Sequence, residues 1–286
     1  MRLMRIGDRG AERPVVAIND ETYVDVSDVV TDFDGSFFAS GLEALAATVA
    51  ERVASGSVHR FAGERVGAPI TRPHQILCVG LNYADHAAES GQEPPAEPIV
   101  FTKAPNTLVG PNDDVYIPRG SSATDWEVEL GIVIGARARY LDSDDAARAA
   151  IAGYVLVNDV SERDFQFQHG GGQWIKGKSA ETFNPCGPWL VTPDEISDVK
   201  DLGLWLDVNG ERRQDGSTSK MLFDPIFIVR HLSRFMVLEP GDLINTGTPA
   251  GVGMGLTPPV YLRPGDRMEL GIDGLGRQSQ AVVAAP

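Results

Sequence analysis

The sequence predicts an α+β fold that is mainly β, with a few helices and a small N-terminal domain. Most apolar runs are short enough to form single strands, and turn-forming residues separate them. The chain contains 31 glycines and 19 prolines, which are spread along its length rather than gathered in one tract. Strand and helix patterns do not alternate regularly, which argues against a doubly wound parallel sheet.

The small N-terminal domain is predicted to cover residues 1–70. Its patterns are those of two strands and one amphipathic helix, at residues 15–18, 22–26 and 41–54. Residues 55–73 are polar and contain Gly and Pro, so we place a domain boundary near residue 70. Residues 71–286 then form the second, larger domain.

The larger domain is predicted to consist of strands with three helices among them. The strands lie at residues 76–80, 99–101, 127–134, 154–159, 205–209, 242–246 and 267–272, and the helices at residues 82–91, 142–152 and 225–235. Asn82 has the residue type of an N-cap, Asp85 follows three residues later, and Gly91 is a suitable C-terminal stop. The Pro-rich segment 92–98 is predicted to be an exposed loop.

Composition narrows the function. The net charge is -15 and the sequence has no cluster of Lys or Arg, so neither nucleic acid nor an anionic membrane surface is an expected partner. A small anionic substrate requires a metal or a few well-placed cations. Cys78 and Cys186 are far apart and lie in or beside apolar runs, which is typical of buried, inert thiols. The N-terminus lacks a signal-peptide pattern, and a cytoplasmic location is expected.

Acidic residues alternate with apolar ones in the segment Asp125-Trp126-Glu127-Val128-Glu129. In a strand, this spacing places the three carboxylates on one face. That face is either exposed to water or gathered around a cation, because like charges repel without one. Asp159 ends another apolar run and completes a set of three ligands with Glu127 and Glu129. Such an all-oxygen set suits Mg²⁺, Mn²⁺ or Ca²⁺ and leaves about three positions open.

His86 and Glu89 stand three residues apart on the short predicted helix, so they share one of its faces. A histidine oriented by a carboxylate has the properties of a general base. The simpler alternative is an exposed pair on a surface helix. The adjoining Pro-rich loop favours a mobile lid and thus the functional interpretation.

Three cations lie near these acidic residues in the sequence, namely Lys103, Arg163 and Lys178. They are candidates for binding a carboxylate substrate, although each alone is typical of a solvated surface charge. Residues 245–253 form a Gly-rich segment that lacks the ending of a phosphate-binding P-loop. Nucleotide binding is therefore not expected, whereas the hydroxyls of this segment are suitable donors to a substrate oxygen.

Taken in order, these segments resemble the fumarylacetoacetate hydrolase superfamily. The resemblance covers residues 72–284 and is carried by GLNYADHAAE, FTKAPN, DWEVELGIVIG, NDVSERD, KGKS and NTGTPAGVG. It implies a mixed β-sandwich roll, usually dimeric, that works with Mg²⁺ or Mn²⁺. Residues 1–70 resemble the small N-terminal domain of longer bacterial members. The segment 165–191 is similar to the subgroup that includes 2,4-diketo-3-deoxy-sugar-acid hydrolases and acylpyruvases.

The resemblance also implies roles for individual residues. The metal ligands are Glu127, Glu129 and Asp159. The catalytic residues are His86, Glu89 and Lys178, of which the first two form a lid dyad that handles water. Lys103, Arg163 and Thr248 match positions at or behind the substrate.

The function implied is hydrolytic C–C cleavage of a 2,4-dioxo acid, an acylpyruvate or a 2,4-diketo-3-deoxy-sugar acid, with release of pyruvate. The same site suits oxaloacetate decarboxylation, 2-hydroxyhepta-2,4-diene-1,7-dioate-type isomerisation or ureidoglycolate cleavage, because one site can serve several chemistries. A remote alternative is a non-catalytic binding protein stabilised by a metal. The expected partners are a small anionic 2-oxo acid and a second copy of the chain.

Overall fold

The computed structural model describes residues 1–89 and 91–286, and these residues form mainly β-structure with short helices. The helices are Gly35–Ser40 (α1), Leu42–Ala54 (α2), Ala84–Glu89 (α3), Asp144–Ala149 (α4), Arg163–Phe167 (α5), Ile175–Lys178 (α6) and Pro225–Leu232 (α7). Within these described residues, no helix has the length and apolar character needed to cross a membrane.

The strands fall into two main sheets and two short pairs. The large sheet contains Arg2–Ile6 (β1), Arg13–Ala17 (β2), Thr22–Asp25 (β3), His59–Arg60 (β4), Val66–Gly67 (β5), Ile76–Gly80 (β6), Ile99–Lys103 (β7), Val128–Ile134 (β11), Ile151–Asn158 (β12), Leu190–Val191 (β15) and Leu243–Asn245 (β18). The second sheet contains Val115–Ile117 (β9), Gly203–Val208 (β16), Glu211–Ser217 (β17), Arg267–Ile272 (β19) and Gly276–Ala284 (β20). The pairs are Leu108–Val109 (β8) with Asn184–Pro185 (β14), and Thr124–Asp125 (β10) with Ser161–Glu162 (β13).

The centre of the large sheet is β11, which is antiparallel to both β12 and β18. Strand β18 is in turn parallel to β6. All seven residues of β11 are buried. A strand covered on both faces is expected to be apolar throughout, so a carboxylate within β11 needs a specific partner.

Two hydrophobic cores cover the two faces of this sheet. Val128, Leu130 and Ile132 of β11 pack with residues of the second sheet, among them Leu206 and Leu270. Val133, on the opposite face, belongs to a core built with the N-terminal segment. The alternative that the acidic face of residues 125–129 is exposed to water is therefore wrong.

The N-terminal segment continues the large sheet. Strand β1 is antiparallel to β15, with Arg2 opposite Val191. Phe33 is fully buried and shares a core with Cys78 and Val155 from beyond residue 70. The boundary near residue 70 stays a prediction, and the two sides of it share both a sheet and a core.

The fold class is confirmed, but three local predictions need correction. The helix predicted at 142–152 ends at Ala149, because Ile151 already pairs with Ile134 in the large sheet. The helix predicted at 225–235 ends at Leu232. Asn82 is not an N-cap: its side-chain amide donates to Phe223 O at 2.9 Å and to Thr246 O at 2.7 Å, so it joins distant loops.

Candidate active site

Strand register brings three carboxylates together at one end of β11 and β12. Val128 lies opposite Asn158, and the backbone N–H of Asp159 donates to Glu127 O at 2.9 Å. Glu127 and Asp159 therefore stand side by side just beyond the paired strands. Glu129 lies two residues further along, on the same face as Glu127. One carboxylate oxygen from each of the three residues lies within 4.8 Å of the others, and all three residues are buried.

The three carboxylates have unequal partners. Glu127 binds Lys178 Nζ at 2.8 Å and Arg163 Nη1 at 2.8 Å. Asp159 binds Lys178 Nζ at 3.0 Å and forms a second ion pair with Lys103. Glu129 accepts a hydrogen bond from the backbone N–H of Gly247 at 2.7 Å and has no cationic partner within the described part of the chain.

The electrostatics follow from these contacts. Burial tends to raise the pKa of Glu127, but Lys178 and Arg163 outweigh it and lower that pKa to about 2. Burial, together with the neighbouring Asp159 and Glu127, holds the pKa of Glu129 well above its ordinary value. The carboxylate at position 129 is thus the one that lacks positive charge.

Charge and donor chemistry both fit a divalent cation. Asp125 pairs with Arg163 at 2.8 Å, so among the described residues the four carboxylates of this cluster lie beside three paired cations, which are Lys103, Arg163 and Lys178. Buried charges are stable only when they are paired or bind a metal. Three carboxylates without thiolate or imidazole form a hard, all-oxygen donor set, as Mg²⁺ and Mn²⁺ require.

Both predicted lysines lie at this cluster. Lys178 Nζ bridges Glu127 and Asp159, and these carboxylates outweigh the effect of burial, so the pKa of Lys178 is raised. The two carboxylates thus favour the charged form of its ammonium group. Lys103 is completely buried behind Asp159 and does not line the cavity. Its location favours a position behind the substrate over direct contact with it.

Arg163 is held from two sides. Its Nε donates to Asp125 and its Nη1 to Gln166 Oε1 at 3.1 Å, while its Nη2 is buried without a hydrogen-bond partner among the described residues. Sequence reasoning missed this function of Asp125, which also accepts hydrogen bonds from the backbone N–H groups of Gly253 and Met254. The sequence gives no sign of these contacts, because Asp125 is separated by 38 positions from Arg163 and by 128 positions from Gly253.

The predicted dyad is formed on α3. His86 is buried, and its Nδ1 lies 3.5 Å from Glu89 Oε2. The Glu89 carboxylate accepts two hydrogen bonds from the N–H of Gly251, at 3.0 and 3.1 Å. Gly251 has a φ of +105°, and Gly255 leaves the space that the Glu89 side chain occupies. The Gly-rich segment thus fixes the residue that orients His86.

Part of this set borders one cavity of about 280 Å³. Its lining includes Glu127, Glu129, Arg163, Lys178, His86 and Thr248. The Thr248 hydroxyl donates to Val128 O at 2.8 Å and accepts from Gln214 Nε2 at 2.7 Å, so its proton is already engaged by the protein. Thr248 was predicted to contact the substrate, but its hydroxyl has no free proton to donate to it.

The cavity also has an aromatic side that the sequence argument missed. Phe101, Phe167 and Trp174 line it, together with the aliphatic Val79 and Ile99. The signal available in the sequence was weak: Phe167 and Trp174 flank the run Gly170-Gly171-Gly172. Cys78 and Cys186 are buried as predicted, and burial raises the pKa of both thiols, so they are inert.

The fold and the site together are typical of an enzyme. The cavity has a buried carboxylate cluster at its base and a His–Glu pair at its side. Residues 75–283 match the family of the fumarylacetoacetate (FAA) hydrolase C-terminal domain. The chain belongs to the fumarylacetoacetate hydrolase family, as its sequence motifs imply.

Known relatives are similar to this protein along its whole length. A protein of Burkholderia multivorans that is provisionally named a hydrolase is 48% identical over 290 residues, with 100% of both chains covered. Fumarylacetoacetate hydrolase from Exiguobacterium antarcticum has a TM-score of 0.86 at 37% identity, again with 100% of both chains covered. These similarities cover residues 1–70 as well as the catalytic region.

Other solved structures show that the family contains more than one activity. 2-Hydroxyhepta-2,4-diene-1,7-dioate isomerase from Mycobacterium marinum has a TM-score of 0.77 at 34% identity, covering 99% of this chain and 98% of that one. Maleylpyruvate hydrolase from Sphingobium sp. SYK-6, in complex with manganese(II) and pyruvate, has a TM-score of 0.82 at 27% identity with full coverage of both chains. The family therefore includes both hydrolases and isomerases.

Proposed function

We propose that this protein is a divalent-metal-dependent hydrolase that cleaves a C–C bond in a 2,4-dioxo acid, of the acylpyruvate or 2,4-diketo-3-deoxy-sugar acid type, and releases pyruvate. The observation that carries the proposal is the pairing of a metal-type carboxylate cluster with a His–Glu dyad on one small cavity. The manganese and pyruvate bound in the maleylpyruvate hydrolase structure support it.

Glu127, Glu129 and Asp159 would hold the cation, Mg²⁺ or Mn²⁺. When bound, such a cation supplies Lewis-acid polarisation of the substrate's carboxylate and 2-oxo oxygens. Arg163 lines the same cavity, and a guanidinium is a suitable partner for the substrate carboxylate. Lys103 stabilises Asp159 from behind.

His86 is the general base in this scheme. Glu89 orients its imidazole, and the N–H of Gly251 fixes the Glu89 carboxylate. The distance of 3.5 Å between Nδ1 and Oε2 is long for a hydrogen bond, as is common at catalytic pairs without a bound substrate. His86 removes a proton from a water molecule, which then attacks the C4 carbonyl.

The bond changes balance as a hydrolysis. The water oxygen bonds to C4, the C3–C4 bond breaks, and its electron pair leaves on C3 as the enolate of pyruvate. The proton taken up by His86 returns to C3, so the products are pyruvate and the carboxylic acid of the acyl group. Lys178, which remains charged, stabilises the developing negative charge.

The dyad is what favours hydrolysis over the other chemistries of the family. Decarboxylation of oxaloacetate requires no activated water, and isomerisation requires only proton transfer within the substrate. A buried histidine with a clamped carboxylate is consistent with water activation.

A pyruvate-release assay tests the proposal. Metal-stripped protein is supplied with Mg²⁺ or Mn²⁺ and offered acetylpyruvate, a 2,4-diketo-3-deoxy-sugar acid or oxaloacetate, and glyoxylate release is measured separately with ureidoglycolate. Metal-dependent pyruvate from a dioxo acid, together with ¹⁸O from labelled water in the released acid, is the expected result. Activity confined to oxaloacetate or ureidoglycolate would replace the hydrolase proposal with a decarboxylase or a lyase.

A further inference from the structure

Aromatic side chains form a continuous track from the reacting end of the cavity to its mouth. Lys178 Nζ lies 5.1 Å from the centre of the Phe101 ring. The Phe101 and Trp174 rings meet edge to face with centroids 5.1 Å apart, and Trp174 meets Phe167 in the same way at 5.9 Å. The three rings line the cavity, and Phe167 remains 45% exposed at its outer end.

The backbone is shaped to hold this track. Gly171 and Gly172 have φ values of +61° and +81°, and this turn leads the chain from Phe167 back to Trp174. Gly80 on β6 lies directly under the indole of Trp174, where a Cβ atom would overlap the ring. The rings are therefore seated in fixed positions while their outer surfaces stay uncovered.

The carboxylates that line the cavity are those of the acidic cluster, and two amides, Gln92 and Gln166, line it as well. Arg163 and Lys178, which also line it, are both paired with the carboxylate cluster. The track itself consists of Ile99, Phe101, Phe167 and Trp174, whose side chains carry no charge and no hydroxyl, and whose single hydrogen-bond donor is the indole N–H of Trp174. A polyol or a carboxylate placed against them would lose hydration and would find at most this one donor in return.

We infer that the acyl part of the substrate is an apolar alkyl or aryl group that lies along Phe101, Trp174 and Phe167. This inference rests on the proposed function and selects acylpyruvates over the polyhydroxylated sugar acids and over dioxo acids with a second carboxylate. The cavity, at about 280 Å³, is near the lower limit of ligand sites of roughly 300–1,000 Å³, which suits a single small group of this kind.

The first test compares kcat/KM for benzoylpyruvate with that for a 2,4-diketo-3-deoxy-sugar acid and for fumarylpyruvate. The aryl substrate should be preferred at least about ten-fold, the lower end of the discrimination expected from an apolar pocket. In W174A and F167A the ratio of benzoylpyruvate to acetylpyruvate should fall several-fold. The matched control is I175A, because Ile175 is an exposed apolar neighbour of Trp174 that does not line the cavity. A wild-type preference for the sugar acid or for fumarylpyruvate would overturn the inference.

A binding measurement separates this inference from the hydrolase proposal. Calorimetric titration of the Mn²⁺-loaded protein compares 2-oxohexanoate with 2-oxoglutarate, which have similar lengths but an apolar and a charged end. The apolar ligand should bind at least about ten-fold more tightly. If no dioxo acid is hydrolysed but this preference holds, the hydrolase proposal fails and the apolar site stands. Equal affinity, a preference for 2-oxoglutarate, or no binding of either ligand would refute the apolar site.

Discussion

Replacing Glu129 with Gln should separate the metal-binding role that we propose for this carboxylate from its role in the fold. Gln keeps the shape and an oxygen that can accept the Gly247 N–H. Glu129 has no cationic partner among the residues described, so no ion pair is broken by the change. Without metal, E129Q should cost no more than about 1 kcal/mol of the free energy of unfolding, the worth of one neutral hydrogen bond.

With metal the two proteins should differ. At a metal concentration 100 times its Kd, the wild type gains about 2.7 kcal/mol of stability. Mutation of residues that only support a metal ligand weakens metal binding by up to about 100-fold, so we take about 100-fold for the loss of one of three ligands. At the same metal concentration, E129Q then gains about 0.4 kcal/mol of stability. For a chain of this size, the wild-type gain corresponds to a rise in Tm of about 5 °C.

The assay is thermal unfolding of chelator-treated protein, with and without Mn²⁺. The control is E269Q, because Glu269 is exposed on β19 of the second sheet, away from the cluster. It should gain the full wild-type stabilisation. The reasoning is refuted if E129Q responds to Mn²⁺ as the wild type does, or if its metal-free form is several kcal/mol less stable.

Other predictions test the surroundings of the site and the N-terminal segment. K103M leaves Asp159 with one cation instead of two, and both residues are fully buried. Urea unfolding of the metal-free protein should therefore show a free energy of unfolding that is lower by about 3 kcal/mol. A decrease under about 1 kcal/mol would contradict the ion pair. H86N should lower kcat by about 10²–10⁴-fold without changing metal-induced stabilisation, and near wild-type turnover would rule out His86 as the base. F33A should lower the free energy of unfolding by about 3–5 kcal/mol. The protein should still unfold in a single transition, because Phe33 belongs to a core shared across residue 70, whereas two transitions would indicate independent domains.

The secondary structure was predictable where apolar patterns were long or clearly bounded. The strands Ile76–Gly80 and Arg267–Ile272 have the predicted bounds. Two-residue strands such as β14 were not predictable, because they exist only through pairing with a distant partner. The helix predicted at 142–152 lost its end to β12 for the same reason, since strand pairing overrode the local pattern.

The candidate site was predictable in its residue types but not in its pairings. Alternation along β11 and the acid at the end of β12 were enough to expect Glu127, Glu129 and Asp159 in one place. The sequence could not show that Lys178 bridges two of them, or that Asp125 holds Arg163, because these contacts depend on how loops fold onto the sheet. The aromatic track has the same origin, since three rings from separate segments meet only in the folded chain.

The measurement that tests the central claim most directly is a crystal structure of the protein grown with Mn²⁺, with anomalous data collected at the manganese edge. The account predicts one anomalous peak within about 2.0–2.6 Å of a carboxylate oxygen from each of Glu127, Glu129 and Asp159. It also predicts that this peak falls to about half its height in crystals of E129Q grown at a Mn²⁺ concentration about 100 times the wild-type Kd. Clear density for the three side chains with no anomalous peak between them, at saturating Mn²⁺, would contradict the metal site and the hydrolytic function built on it.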